Sequence, residues 1–306
     1  MNTCVSYNAT REKMPNRRFM SNASTYIAVD IGGTNTRIGL FGSPLHTSDF
    51  IPITTFPTYQ RYAEQLHHII AAVQASGTSR YAAVGVSVAG RITPDGRSVS
   101  VAPNLPDYVN RPFAEDLAER LHISVRLAHD TVCGLLAEKQ FGILHKFDRC
   151  AYLTVSTGTG AAIQLGKATT SLISSIEIGH QILDGNSLRC LCGQVGCLET
   201  FTGGRQIELR YGCPLAQITD KAFWETFSDK LAIGLVNLTQ LTRIDVVALS
   251  GAIVLKKQFL IPLLQEKVNT ILKGSSLVLK MAKLGENAPI VGAAVLLGTP
   301  EEQILH

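Results

Sequence analysis

The stretch Ile27-Ala28-Val29-Asp30-Ile31-Gly32-Gly33-Thr34-Asn35-Thr36-Arg37-Ile38-Gly39-Leu40-Phe41 decides the fold. Ile27, Val29 and Ile31 alternate with small or polar residues, the period of a half-buried strand. Gly32-Gly33 turns the chain and Arg37 to Phe41 returns it, which predicts a hairpin with a glycine-rich tip. The pattern restarts later: Tyr152 to Val155 reads as a strand, Thr157-Gly158-Thr159-Gly160 as its turn, and Ala161 to Leu165 as the return strand. Strands and helices alternate after each hairpin. Tyr62, Leu66, Ile69, Ile70 and Val73 have helical spacing, Ala83 to Val88 is a buried strand, and Phe113, Leu117 and Leu121 mark a second helix. Ile123 to Leu127 is a strand leading into His129-Asp130. In the second half, Leu231, Leu235, Leu238 and Leu241 form one helix, and Val246 to Leu249 is a strand ending at Ser250-Gly251. A last helix is predicted from Ile290 to Leu297, where Gly292-Ala293-Ala294 allows close packing. The alternation argues for a duplicated α/β fold with a ligand cleft between its halves.

Composition excludes several classes. With 306 residues, 45% apolar and 17% charged, the chain can bury a sizeable core and is neither disordered nor collagen-like. Its length favours two domains. There are 28 Lys plus Arg against 24 Asp plus Glu, and Arg11, Lys13, Arg17 and Arg18 crowd the N-terminus. No basic stripe runs through the body, so no nucleic-acid partner is expected. No apolar run reaches the roughly 18–20 residues of a membrane span, so no membrane partner is expected either. Residues 1–25 lack the apolar core of a secretory signal, and read as a disordered leader or a basic transit segment. Seven cysteines, an odd number in a long chain, suit a reducing, cytoplasmic setting.

Four groups of residues carry chemistry. Around Gly32 and Gly33, backbone N–H groups can approach an anion, Thr34 and Thr36 add hydroxyl donors, and Asp30 could hold a hydrated Mg²⁺. An ordinary tight hairpin would look the same. No Gly-Lys-Ser/Thr follows, so this is not a Walker loop, and the return strand argues against a dinucleotide fingerprint. Thr157 and Gly158 belong to a second turn of the same chemistry, and two such turns across a cleft suit the phosphate tail of a nucleotide. His180, Cys190, Cys192 and Cys197, three thiols and an imidazole within 18 residues, match a closed tetrahedral zinc site with a structural role; a redox pair is the competing reading. Asp130, at the carboxyl end of a buried strand, suits either a general base or a helix N-cap. Glu177 and Glu199 bracket the zinc loop and are either sugar-gripping carboxylates or solvated surface charges.

Taken together, Asp30-Ile31-Gly32-Gly33-Thr34-Asn35-Thr36-Arg37, Ser87-Val88-Ala89-Gly90-Arg91, Ala102-Pro103-Asn104-Leu105-Pro106-Asp107-Tyr108, Thr157-Gly158-Thr159-Gly160, Glu177-Ile178-Gly179-His180 and the segment from Cys190 to Glu199 resemble, in order, the ROK sugar kinases. The similarity spans about residues 26–298. It implies the actin-like ATPase (ribonuclease H-like) fold, with an N-terminal lobe at 26–128, a C-terminal lobe with the zinc loop at 129–289, and residues 290–306 packing back as a helix on the first lobe. It implies ATP-dependent phosphorylation of a hexose, with glucose O6 as first candidate, and cofactors Mg²⁺ and structural Zn²⁺. By the same likeness Asp130 is the base. Asn104, His129, Glu177, His180 and Glu199 contact the sugar with Gly90 and Arg91, and His180 gives its other ring nitrogen to zinc. Asp30, Gly32, Gly33, Thr34, Thr36, Thr157 and Gly158 hold MgATP phosphates, and Gly251 lies near adenosine. A homodimer is the implied assembly.

Three departures stand out. His129 replaces the Asn usual before the base, Ser250-Gly251 replaces Gly-Gly, and the segment 168–176 lacks glycines, with Ile176 at one of their places. The last stiffens a loop that adjusts around the sugar. An N-acetylmannosamine kinase is the alternative within the class, on Ser87-x-x-Gly90-Arg91. A catalytically weak sugar-binding regulator is the alternative outside it, and a repressor would need an N-terminal DNA-binding domain larger than the leader.

Overall fold

A computed structural model describes residues 25–43, 45–47, 50–77, 81–167 and 170–306. The leader proposed for 1–25 lies outside them except for Thr25, which opens the first strand. The strands are β1 (Thr25–Ile31), β2 (Asn35–Gly42), β3 (Ile51–Pro57), β4 (Ala83–Val88), β5 (Arg91–Ile92), β6 (Val99–Val101), β7 (Ser124–His129), β8 (Cys150–Val155), β9 (Thr159–Leu165), β10 (Leu172–Ile176), β11 (Val246–Ser250), β12 (Val278–Met281) and β13 (Ile304–Leu305). The helices are α1 (Tyr62–Ala75), α2 (Phe113–Leu121), α3 (Asp130–Phe141), α4 (Glu199–Thr202), α5 (Gly204–Tyr211), α6 (Lys221–Thr242), α7 (Ala252–Lys256), α8 (Leu260–Ile271) and α9 (Ala288–Leu296).

Two sheets repeat one topology. The first has the order β3-β2-β1-β4-β7 and the second β10-β9-β8-β11-β12, with β13 added beside β10. In each, two antiparallel pairings start the sheet and parallel strands complete it. The duplication expected from the two turns is therefore present, and a small β5–β6 hairpin rises from the end of β4.

Side-chain alternation builds three apolar layers. On β1, Ile27, Val29 and Ile31 face outward onto α1 and α2, through Leu66, Ile69, Phe113 and Leu117. Ala28, on the opposite face, packs toward α3 and α9, which also meet Tyr152, Ala162 and Ala248 of the second sheet. The outer face of the second sheet packs Leu153 and Val247 onto Leu231 and Leu235 of α6 and Leu264 of α8. Each fully buried Leu contributes roughly 1.5–3 kcal/mol. Helices α3 and α9 are pressed together so closely that a Cβ on Gly292 would lie 1.7 Å from the Cys133 carbonyl oxygen.

The chain end departs from expectation. Helix α9 stops at Leu296, and Arg126 Nη1 donates to the carbonyls of Leu296 and Thr299, each at 2.5 Å. Pro300 follows, and Ile304–Leu305 pairs with β10, so the last residues extend the second sheet rather than a helix on the first. No helix among the described residues is long and apolar enough to cross a membrane.

Candidate active site and metal centre

The first turn is held from within its own sheet. Asp30 is buried at the end of β1; its Oδ2 accepts Arg37 Nη2 at 2.6 Å and Nε at 3.1 Å, and its Oδ1 accepts Ser87 Oγ at 2.8 Å. Burial pushes the Asp30 carboxyl up, against the pull of Arg37 and Ser87, and nearby Asp130 adds to the rise. Both oxygens are thus committed, so a cation at Asp30 would first have to displace Arg37. Gly33 and Thr34 are exposed at the tip. Thr36 is not available there: it is fully buried, bonded to Thr58 Oγ1 at 3.0 Å and Gln65 Nε2 at 2.8 Å. The pleat of β2 turns it inward while Asn35 faces out. Thr58 Oγ1 donates to the Gly32 carbonyl at 2.8 Å, and Thr58 N to the Thr34 carbonyl at 2.9 Å.

The second turn is held from outside. Thr159 N donates to Glu199 Oε2 at 2.8 Å, and a Cβ on Gly158 would come within 2.7 Å of that oxygen. Helix α5 docks its first amides on the turn, with Gly204 N on the Ser156 carbonyl and Arg205 N on the Thr157 carbonyl, each at 2.9 Å. Gly251, at φ 89°, lies against β8, where a Cβ would meet Val155 O at 2.3 Å. It therefore joins the turn through the end of that strand.

Asp130 starts α3 between the two turns, where the helix dipole favours a carboxylate. Its neighbour Thr131 reaches the second turn, since a Cβ on Gly160 would lie 3.0 Å from Thr131 Cγ2. The N-cap of α3 is His129 rather than Asp130: His129 Nδ1 accepts Thr131 N at 3.2 Å and lies 2.8 Å from Thr131 Oγ1. Asp130 Oδ1 is buried, 2.8 Å from the same Nδ1, and no hydrogen bond is formed to it. Burial pulls the His129 imidazole down, but Asp130 and Glu177 outweigh this and Arg91's opposition, leaving it raised.

Two side-chain pairs cross the cleft. Arg91 Nη2 donates to Glu177 Oε1 at 2.7 Å, and Arg205 Nη1 to Asn104 Oδ1 at 2.7 Å. Asn104 also sits above Gly33, its Nδ2 3.5 Å from where a Cβ would be. Gly90, expected to line the pocket, is buried under the β5–β6 hairpin, where a Cβ would touch Val99, Val101 and Ala102. Arg37 and Ser87 lie inside the motifs that carry the family resemblance but had no role assigned there. Thr58, Gln65 and Arg205 lie outside those motifs, and only Arg205 has a local signal, the Gly203-Gly204 pair just before it.

His180, Cys190, Cys192 and Cys197 come together, with ligand atoms all within 4.8 Å of one another. Cys190 Sγ is 3.8 Å from His180 Nδ1, and Cys192 Sγ is 3.7 Å from Cys197 Sγ. Three soft thiols and an imidazole fit zinc. Gln206 Nε2 points at Cys190 Sγ at 3.0 Å, a donor suited to a thiolate. Burial and the other two thiols push the Cys197 thiol up to about 12, so a cation binding there would have to displace protons. The far ring nitrogen of His180, Nε2, lies 3.9 Å from Glu177 Oε2, so the metal cluster abuts the cleft.

The ROK family model matches residues 26–299. N-acetylgalactosamine kinase AgaK of Shewanella sp. (strain ANA-3) is 26% identical over 304 residues, covering 89% of this chain and 96% of that protein. The ROK hexokinase of Thermus thermophilus superposes with a TM-score of 0.72 at 25% identity, over 89% of this chain and 97% of that one. A ROK family glucokinase of Streptomyces griseus, solved with glucose and AMPPNP, has a TM-score of 0.72 at 21% identity, over 90% and 99% of the two chains.

Proposed function

The chain belongs to the ROK family, and on that premise we propose that it is an ATP-dependent sugar kinase acting on a hexose hydroxyl, with glucose O6 the first acceptor. One observation carries the reading: Asp130, with a buried oxygen that forms no hydrogen bond, stands at a helix N-terminus between two glycine turns.

In this mechanism Asp130 takes the proton of the sugar hydroxyl as that oxygen attacks the γ-phosphorus. The bond from the γ-phosphorus to the β–γ bridging oxygen breaks and ADP leaves, so most of the catalysis is positioning and electrostatics. Gly32, Gly33 and Thr34 on one side, and Thr157 and Gly158 on the other, hold the phosphates, with adenosine near Gly251. Asn104, His129, Glu177, His180 and Glu199 hold the sugar beside Arg91. Sugar hydroxyls replace the Arg91–Glu177 and Arg205–Asn104 bonds as partners of those groups. His180 and the three cysteines would hold zinc, which would cross-link the segment that carries Glu177 and Glu199. Magnesium would accompany the nucleotide, and Asp30 would have to release Arg37 before it could hold that ion.

An N-acetylhexosamine is the second acceptor class, favoured by Arg91 at the mouth of the cleft and by the name of the Shewanella relative. The setting proposed is a cytoplasmic homodimer, which light scattering would test. The deciding experiment is ADP release over a panel of glucose, N-acetylglucosamine, N-acetylgalactosamine and N-acetylmannosamine. Asp130→Asn should lower kcat by about 10²–10⁴ while the fold is kept. A variant with near wild-type kcat would overturn the role.

A further inference from the structure

We propose that His129 is a positioning residue for the base: its Nδ1 alternates between capping helix α3 and pairing with Asp130, and this exchange sets the acid limb of the reaction. The inference rests on the reading of Asp130 as the base.

Three groups converge on one nitrogen. His129 Nδ1 is 3.2 Å from Thr131 N, 2.8 Å from Thr131 Oγ1 and 2.8 Å from Asp130 Oδ1. A neutral ring has one lone pair at Nδ1 when its proton is on Nε2, and here that lone pair takes the Thr131 amide. In that form Asp130 Oδ1 faces the nitrogen at 2.8 Å, buried and without a hydrogen bond. When Nδ1 gains a proton it can only donate. The ring then forms an ion pair with Asp130, and Thr131 N loses its acceptor. The carboxylate is tied up, and its capacity to take a hydroxyl proton falls.

The surrounding charges set where the exchange occurs. Asp130 on α3 and Glu177 after β10 favour the imidazolium, while burial and Arg91 on β5 oppose it, and the balance lies above the ordinary histidine value. Asp30 on β1 faces Asp130, and Tyr152 on β8 packs beneath the same helix. Because the ring binds its proton more tightly than a free histidine, the locked form is dominant at lower pH. Activity is lost as pH falls through the His129 value and is present above it. An asparagine at this position can cap a helix but cannot titrate near neutrality.

Two measurements test the exchange. In the pH profile of kcat, wild type should show an acid limb above the ordinary histidine value, and His129→Asn should move it to lower pH, whatever its plateau. An unmoved limb overturns the proposal. Independently, the His129 ring is titrated by NMR in the wild-type chain and in Asp130→Asn. The wild-type midpoint should lie above the ordinary 6.5 of histidine and fall by about one pH unit in the variant. A midpoint insensitive to Asp130→Asn overturns the proposal even if His129→Asn fails to fold. The NMR readout needs no turnover. A chain inactive on every sugar but with coupled titration would sink the kinase reading and leave the pairing standing.

Discussion

The two glycine turns occupy equivalent places in sheets of equivalent strand order, yet they are stiffened in opposite ways. The Gly32-Gly33 turn draws on its own sheet and the segment just after it, through Arg37, Ser87 and Thr58. The Thr157-Gly158 turn has no acid of its own and borrows Glu199, 40 residues further along, together with the first amides of α5. Glu199 follows Cys197 by two residues, so the second turn is tied to the segment that carries the His/Cys cluster and the first is not. One duplicated topology therefore carries two differently braced turns, joined by Arg205, whose amide holds the Thr157 carbonyl and whose side chain holds Asn104 above Gly33.

The sharpest way to break that contrast is Cys197→Ser. It removes a buried ligand, so zinc content should fall and activity drop by about 100-fold or more. Hydrogen exchange should rise at residues 157–160 and stay unchanged at 32–35; equal changes in both turns would end the distinction. Arg37→Met comes next. It strands a buried carboxylate and should cost about 3 kcal/mol by chemical denaturation, with zinc content unaffected. A loss below about 0.5 kcal/mol would mean Asp30 is held some other way. Gly158→Ala should push Glu199 off the Thr159 amide, costing about 1–2 kcal/mol and raising KM for ATP. Smallest is Arg91→Ala. Its half-exposed bond to Glu177 stabilises the fold by less than about 1 kcal/mol, so the melting temperature should barely move while KM for the sugar changes.

Some of this was legible in the chain alone because its signals are local. The metal set is compressed into 18 residues, and its spacing survives any packing around it. The strands β1, β4, β8 and β11 are dense in β-branched and small apolar residues, and the period is unambiguous. By contrast β3, Ile51–Pro57, hides behind Pro52 and Pro57, and β10 presents only Leu172, Ile173 and Ile176 among serines. Both are flanking strands whose pairing comes from a neighbour rather than from their own pattern. The direction of Thr36 illustrates the same limit. Its hydroxyl is chemically suited to phosphate, but strand register turns it into the core.

What the residues determined unaided was the duplicated α/β pattern, the two turns, the clustering of His180, Cys190, Cys192 and Cys197 and the position of Asp130 after a buried strand, because periodicity, glycine placement and ligand spacing act over a few residues at a time. Tertiary structure alone decided which distant groups meet: Ser87 closing on Asp30, Glu199 filling the second turn, and Arg91 and Arg205 joining the two lobes. The reason is physical. Hydrogen bonds act over about 3 Å, and only the folded chain brings residues 40 to 250 positions apart within that reach.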